Sequence, residues 1–421
     1  MRRRYLVVAA LVILLGGAGS AWYLTRNRFG GDVLGSSSGF NSTQTIRPPK
    51  PHEGIVSPMF GGVPERLHVG VGHVRPPFRL AWQAGGTSLV EFPPALAFHY
   101  LYYATLSGEF IAVSTRTGKR LWDVHVGRCE AAEPAVTTYK GGTVYETFLN
   151  RQPCRGGTTN PADGLILALA AGRPHTLRWK RNLGASETSP LIVGQRLFIG
   201  TASGDVYCLE AATGKTVWRY HVGAPVKGAI AYDRGKVFFG AYDGRLYALG
   251  AGTGKLIWTA ASASDFTGAR GRFYSTPAVA YSRVYLGSTD GKVYAFDERT
   301  GHLAWEHTTG GYVYGSPAVY NGRVFIGSYS HVFYALDAVT GNVDWTFTAD
   351  GPVSGSATVV GGLVYFGSLG ARGARRTYGL DARTGKQVWL WHDGGFGPVV
   401  SDGSKIYVVG WGKIYAFTSR R

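Results

Sequence analysis

Three cysteines, Cys129, Cys154 and Cys208, are the only thiols in the 421-residue chain, and none forms an adjacent pair or a Cys-x-x-Cys motif. The first stands in HVGRCEAAEPAV and the second in NRQPCRGGTTNPADG. A disulfide between Cys129 and Cys154 would pin a long insertion and suits an oxidising compartment; the alternative is two free thiols. Cys208, inside the alternating run VYCLE, is expected to be buried and inert. The histidines form neither His-x-His nor His-Glu-x-x-His, and no Walker loop or Gly-x-Ser-x-Gly elbow occurs. His302 and His307 read as surface or packing residues beside a strand. Glu130, Glu133, Asp163 and Asp265 fall in loop-like sequence without the spacing of a calcium cage and are expected to be solvated. The residues therefore nominate no catalytic group, no metal ligand and no cofactor contact.

Binding is better represented than catalysis. SDFTGARGRFYSTP offers Phe266, Arg270, Arg272, Phe273 and Tyr274; GGYVYGSP offers Tyr312 and Tyr314; DGGFGP offers Phe396; GARGARRTYGL offers Arg372, Arg375 and Arg376. Arginine and aromatic clusters on rigid loops are the usual makings of a partner face. Two readings stay open: a docking surface, or rings that cap a channel and pack on their neighbours beside a solvated basic loop.

The elements that would position these loops follow from a repeat. Tryptophans recur at Trp82, Trp122, Trp179, Trp218, Trp258, Trp305, Trp345 and Trp389, at gaps of 40, 57, 39, 40, 47, 40 and 44. Six are preceded, five residues earlier, by the threonine of a Thr-Gly pair, and ten residues earlier by a small residue: Ala112, Cys208, Ala248, Ala295, Ala335 or Gly379. Between them, runs such as VYLGS and KVYAF alternate at period two and are split by turn pairs such as Asp290-Gly291. Four strands per unit of roughly 40 residues is the period of a β-propeller. The sequence thus predicts an all-β, eight-bladed propeller of four-stranded antiparallel blades over residues 78–421. The last unit lacks its tryptophan strand; the lone strand at 79–84 is expected to supply it and close the ring. The eight indoles are read as structural, each docking one blade on the next.

The pattern Ala-x-Asp-x-x-Thr-Gly-Lys-x-x-Trp resembles the tryptophan-docking motif of the PQQ-type, quinoprotein-like β-propellers. It is nearest at Ala295, Asp297, Thr300, Gly301 and Trp305, at Ala335, Asp337, Thr340, Gly341 and Trp345, and at Asp381, Thr384, Gly385, Lys386 and Trp389. The resemblance implies the propeller fold. It leaves function open, since the family holds PQQ-dependent dehydrogenases as well as the propeller lipoprotein of the outer-membrane β-barrel assembly machinery. It also implies what a dehydrogenase would need: an adjacent Cys-Cys disulfide, absent from this chain, and a calcium held by Glu, Asn and Asp. No cofactor is expected; PQQ with calcium belongs only to the alternative of a degenerate dehydrogenase. No cysteine lies near the N-terminus for lipid attachment.

Residues 5–24 form an uncharged apolar stretch after Arg2, Arg3 and Arg4, long enough to cross a bilayer as a signal anchor, with 1–4 as a cytoplasmic stub. Cleavage as a signal peptide would instead release a secreted domain. Residues 25–77, rich in Pro and Gly, are expected to be a spacer, with Met59, Phe60 and Leu67 able to pack. Lys and Arg number 44 against 26 Asp and Glu, a net charge of +18. The expected product is a single-pass, extracytoplasmic, monomeric propeller that scaffolds envelope proteins or anionic polymers, with nucleic acid disfavoured by location.

Overall fold

Each tryptophan of the repeat stands directly across an antiparallel ladder from its small partner: Trp122 from Ala112, Trp218 from Cys208, Trp258 from Ala248, Trp305 from Ala295, Trp345 from Ala335 and Trp389 from Gly379. A large plate beside a small residue leaves a flat, dense face for the next sheet. The computed structural model describes residues 31–154, 160–172, 176–370, 374–397 and 399–420. Among these, eight sheets form the blades of a propeller. Blades 1 to 8 have as inner strands Ala95–Ala97, Ala135–Thr137, Leu191–Val193, Ala231–Asp233, Ala278–Ala280, Ala318–Tyr320, Thr358–Val360 and Val400–Gly403.

The recurrent Thr-Gly has a second duty beyond its turn. Asp297 Oδ1 accepts hydrogen bonds from the Thr300 amide and hydroxyl at 2.8 and 2.7 Å, and Asp337 and Asp381 repeat the arrangement with Thr340 and Thr384. The following glycine, at φ +77° for Gly341, lies flat on the tryptophan of the preceding blade; a Cβ there would stand 2.8 Å from the Trp305 ring. The Trp305 indole N–H donates to Ala338 O of the same turn at 3.1 Å, and Trp179, Trp218 and Trp345 make the equivalent bond. Gly341→Ala therefore meets a left-handed backbone and an indole at once. It is expected to lower stability by about 2–3 kcal/mol, read as a lower denaturant midpoint at unchanged m-value.

Strand β3 (Phe78–Gly85) pairs with the last strand, Lys413–Ser419, placing Trp82 opposite Ala416, so the first and last strands of the ring share blade 8. The described residues ahead of it, 31–77, are not a spacer. From Asp32 the chain runs along blade 5, where Val33 exchanges backbone hydrogen bonds with Glu306 and Phe40 stacks on Tyr281 at 5.1 Å. Farther on it forms a belt inside the ring. Strand β1 (Ile55–Ser57) pairs with the inner strand of blade 1, and strand β2 (Val71–Gly72) runs parallel to that of blade 8. Between them Pro58, Pro64, Glu65, Leu67 and His68 carbonyls accept from Val136, Tyr232, Val279, Val319 and Val359, on blades 2, 4, 5, 6 and 7.

Blade 3 is met by a side chain. The fully buried Arg66 guanidinium donates to Ser189 O and Pro190 O at the head of blade 3, to Ile230 O of blade 4 at 2.8 Å and to Phe60 O. The inner strand of a propeller blade has a free edge facing the channel, and unpaired edge groups in a closed space are costly. The belt pairs with that edge in seven blades and reaches the head of blade 3 through Arg66. Met59, Phe60 and Leu67 are buried in it.

The apolar segment at 5–24 lies outside the described residues, and among the described residues no helix is long and apolar enough to cross a membrane.

Candidate functional site

A broken ring of hydroxyls stitches four pairs of neighbouring blades together around the axis. Just ahead of their inner strands, blades 3, 5, 6 and 7 carry Ser189, Thr276, Ser316 and Ser356. Their side-chain oxygens accept from the backbone N–H of Glu133, Ala229, Thr276 and Ser316 at 2.8, 2.9, 3.0 and 2.9 Å. Each donor belongs to the blade before, so a hydroxyl at this register position fixes the spacing of neighbouring inner strands. Glycines permit the same closeness: a Cβ on Gly228 would lie 2.5 Å from Tyr274 O, and one on Gly315 2.6 Å from Gly355 O.

Above this ring, on the face of the inter-blade connections, opens a cavity of about 440 Å³, with Phe60 of the belt among its lining residues. Tyr274, Tyr312, Tyr314, Tyr329, Phe92 and Phe396 supply aromatic walls. Tyr314 meets Tyr274, Tyr312 and Tyr329 at centroid distances of 5.6, 5.8 and 5.1 Å, all edge to face, the arrangement that aromatic quadrupoles favour. Tyr312 is 54 % exposed and forms part of the rim.

The charged groups in this cavity are Glu91, Glu187 and Lys227. Lys227 Nζ is 2.7 Å from Glu187 Oε1 and lies over the Tyr242 ring at 5.5 Å; the Tyr274 hydroxyl donates to Glu187 Oε2 at 3.3 Å. Burial, reinforced by the Glu187 carboxylate and only partly offset by Lys227, pushes the Glu91 carboxyl up to about 7. Burial, then Glu187 and Glu91, push the Tyr274 hydroxyl up well beyond its ordinary range. The cavity is thus an acidic, aromatic pocket in a chain of net charge +18.

With this geometry in view, the sequence profile of the family described as "Outer membrane protein assembly factor BamB" matches residues 162–313 and 293–421. The chain belongs to this family. Among solved structures similar to this BamB-family ring, BamB from Moraxella catarrhalis aligns at TM-score 0.63 and 20% identity, covering 81% of this chain and 99% of that one. Quinohemoprotein alcohol dehydrogenase from Comamonas testosteroni aligns at TM-score 0.70 and 14% identity, over 88% and 82%. A europium-containing methanol dehydrogenase aligns at 0.71 and 13%, over 87% and 98%. At such identities the likeness is one of fold. Comparison with curated protein sequences finds no match.

The loops singled out in the sequence scatter over this face of the BamB-family ring. Tyr274, Tyr312, Tyr314 and Phe396 come together around the cavity. Arg272 lies over Tyr242 at 5.4 Å, Arg375 over Trp411 at 3.6 Å, and Arg376 pairs with Asp350 at 2.9 Å. Arg270 bonds to Ser262 O, while Phe266 stands 85 % exposed. Phe273 is fully buried, its Cβ 2.3 Å from where a side chain on Gly240 would begin, and so cannot meet a partner. Arg372 lies outside the described residues. Cys129 and Cys154 are bonded, joining the connection into blade 2 to the loop between that blade's second and third strands. Cys208 is free and buried, and burial pushes its thiol up to about 11.

The acidic loop residues are not solvated. Glu130 and Glu133 are 1 % exposed, and Glu146, on the second strand of blade 2, is fully buried beside them. Burial pushes all three carboxyls well above the ordinary range. Asp265 is buried too and organises its own turn, accepting from the Thr267 and Ala269 amides at 2.9 Å. Asp163 instead pairs with Arg128 at 2.8 Å. Among the described residues no group of three or more His, Cys, Asp or Glu is placed to hold a metal ion. Glu91, Glu187 and Lys227 had no motif to betray them, though the hydroxyls at 276, 316 and 356 repeat at the blade period.

Proposed function

We propose that the chain is a membrane-anchored, extracytoplasmic and non-catalytic scaffold, binding or assembling cell-envelope proteins or polymers through the face that carries the cavity. The family match supports an assembly role. The apolar segment at 5–24 would provide the anchor, and the Cys129–Cys154 bond suits an oxidising compartment. Nucleic acid has no place in this reading, and the ring acts as a monomer.

The observation that carries the non-catalytic reading is the charge of the cavity. PQQ is a planar quinone bearing three carboxylates. A site for it needs cations, yet the cavity offers Glu91 and Glu187, with its one lysine already held by Glu187 at 2.7 Å. These residues do not fit the group. Titration of the purified chain with PQQ and Ca²⁺, followed by absorbance and by dye-linked alcohol oxidation, is expected to give neither binding nor turnover. Saturable binding with oxidation would overturn the reading in favour of a dehydrogenase.

A further inference from the structure

We infer that the axial cavity is a binding site for an organic cation, an ammonium or guanidinium group carried on an apolar body. Four features of the cavity converge on this class. The walls are aromatic, and the negative faces of tyrosine rings attract a cation that has shed its water. Tyr314 meets Tyr274, Tyr312 and Tyr329 edge to face, and Tyr312 lies 6.4 Å from Tyr329, so the cage exists before any ligand arrives.

The second feature is an unpaired carboxyl. Glu187 is occupied by Lys227 and Tyr274. Glu91 lines the same cavity, and among the described residues it has no hydrogen-bond or ion-pair partner. Two carboxylates against one ammonium leave the pocket one positive charge short of neutral, and a ligand cation would complete it. Third, the chain as a whole carries +18, so this acidic site is set against the prevailing charge rather than being an extension of it. A basic surface repels cations at long range; selection of one here must come from short-range contacts.

Fourth, the cavity is bounded. The belt residue Phe60 forms part of the lining, and a volume of about 440 Å³ lies within the range of small-molecule sites. The inference does not depend on the scaffold reading, because an open-mouthed site of this size takes either a free amine or one basic side chain presented by a peptide. Those two sources share the recognising chemistry and differ only in what carries it.

The site is also expected to respond to pH. Glu91 faces Glu187, Lys227 and Tyr274 across the cavity and feels Glu130 behind it. With burial and Glu187 holding the carboxyl up to about 7, the charged form that attracts a cation fills in as pH rises through neutrality. A bound cation would in turn draw that value down.

The test uses the full chain and saturation-transfer NMR with three probes of matched shape: phenethylammonium, 2-phenylethanol and phenylacetate. Phenethylammonium is expected to bind at least ~10-fold more tightly than the alcohol, and phenylacetate most weakly. Glu91→Gln should erase the preference for the ammonium while leaving binding of the alcohol unchanged, which also shows that the cavity is intact. A blocked Gly-Arg-Gly peptide separates the sources: tighter binding than phenethylammonium assigns the site to a peptide-borne side chain, weaker binding to a free amine. Equal binding of the three small probes, a preference for phenylacetate, a cation preference that survives in Glu91→Gln, or no binding up to about 10 mM would each overturn the inference.

Discussion

Replacing Arg66 with methionine is expected to destabilise the ring by about 3–5 kcal/mol, more than any other single change in the belt. The guanidinium is fully buried and donates to four backbone carbonyls, those of Phe60, Ser189, Pro190 and Ile230. Methionine fills much of the same volume, so the loss is not a cavity. It is the loss of every donor to four acceptors that the closed channel keeps from water. Burial lowers the Arg66 pKa to about 9, with Glu133 opposing, so the group stays charged at neutral pH and the bonds remain charge-assisted. Lysine would keep the charge and lose the fork that reaches blade 3, blade 4 and the belt itself, so Arg66→Lys should recover only part of the loss. Chemical denaturation measures both variants. Limited proteolysis adds a second readout: cleavage within residues 45–75 should precede cleavage in the blades of Arg66→Met. An unchanged midpoint would show that the belt is held by its main-chain bonds alone.

The second large effect is a fall in stability with rising pH above about 6.5. Glu130, Glu133 and Glu146 are buried, and burial holds their carboxyls well above the ordinary range. In the unfolded chain the same groups ionise near 4.3. Between those values the folded state binds more protons than the unfolded state, so raising the pH favours unfolding. Each carboxyl that stays protonated contributes a slope of about 1.4 kcal/mol per pH unit. His68 works the other way: burial, with Arg66 beside it, lowers its pKa to about 3, so it loses stability as pH falls below its unfolded value. The clean window is therefore pH 6.5–8, above the histidine range, where a loss of at least ~2 kcal/mol is expected. Glu133→Gln should flatten the slope by one group's share. Equilibrium unfolding across that window decides it; a stability that is constant or rises with pH would mean the three carboxyls are ionised in the folded state.

What the sequence made legible is what repeats. The tryptophans, their small partners and the Thr-Gly turns recur because every blade must present the same flat face to the next. A feature copied around a ring can be read without coordinates. The belt is the opposite case. It pairs through the carbonyls of Pro58, Pro64, Glu65, Leu67 and His68, and a carbonyl is common to all residue types, so nothing in that stretch distinguishes it from a Pro- and Gly-rich spacer. The burial of Glu130 and Glu133 is hidden for a related reason: a carboxylate in loop-like sequence is ordinarily solvated, and only the packing of the inter-blade connection reverses that. The cavity combines both cases. Its tyrosines sit in conspicuous loops, whereas Glu91, Glu187 and Lys227 come from separate turns of the chain and meet only when the ring closes. Phe273, three residues from Arg270 in the same loop, points inward where its neighbour Tyr274 lines the cavity.

The scaffold reading rests on one face of the ring meeting a partner. The most direct measurement is site-specific photo-crosslinking in intact cells, with the reactive residue placed at Tyr312 on the cavity rim or at Val217 on the outer strand of blade 3, which are 54 % and 40 % exposed. A discrete adduct with an envelope component is expected from position 312 and none from position 217. No adduct at 312, or equal adducts at both positions, would contradict it.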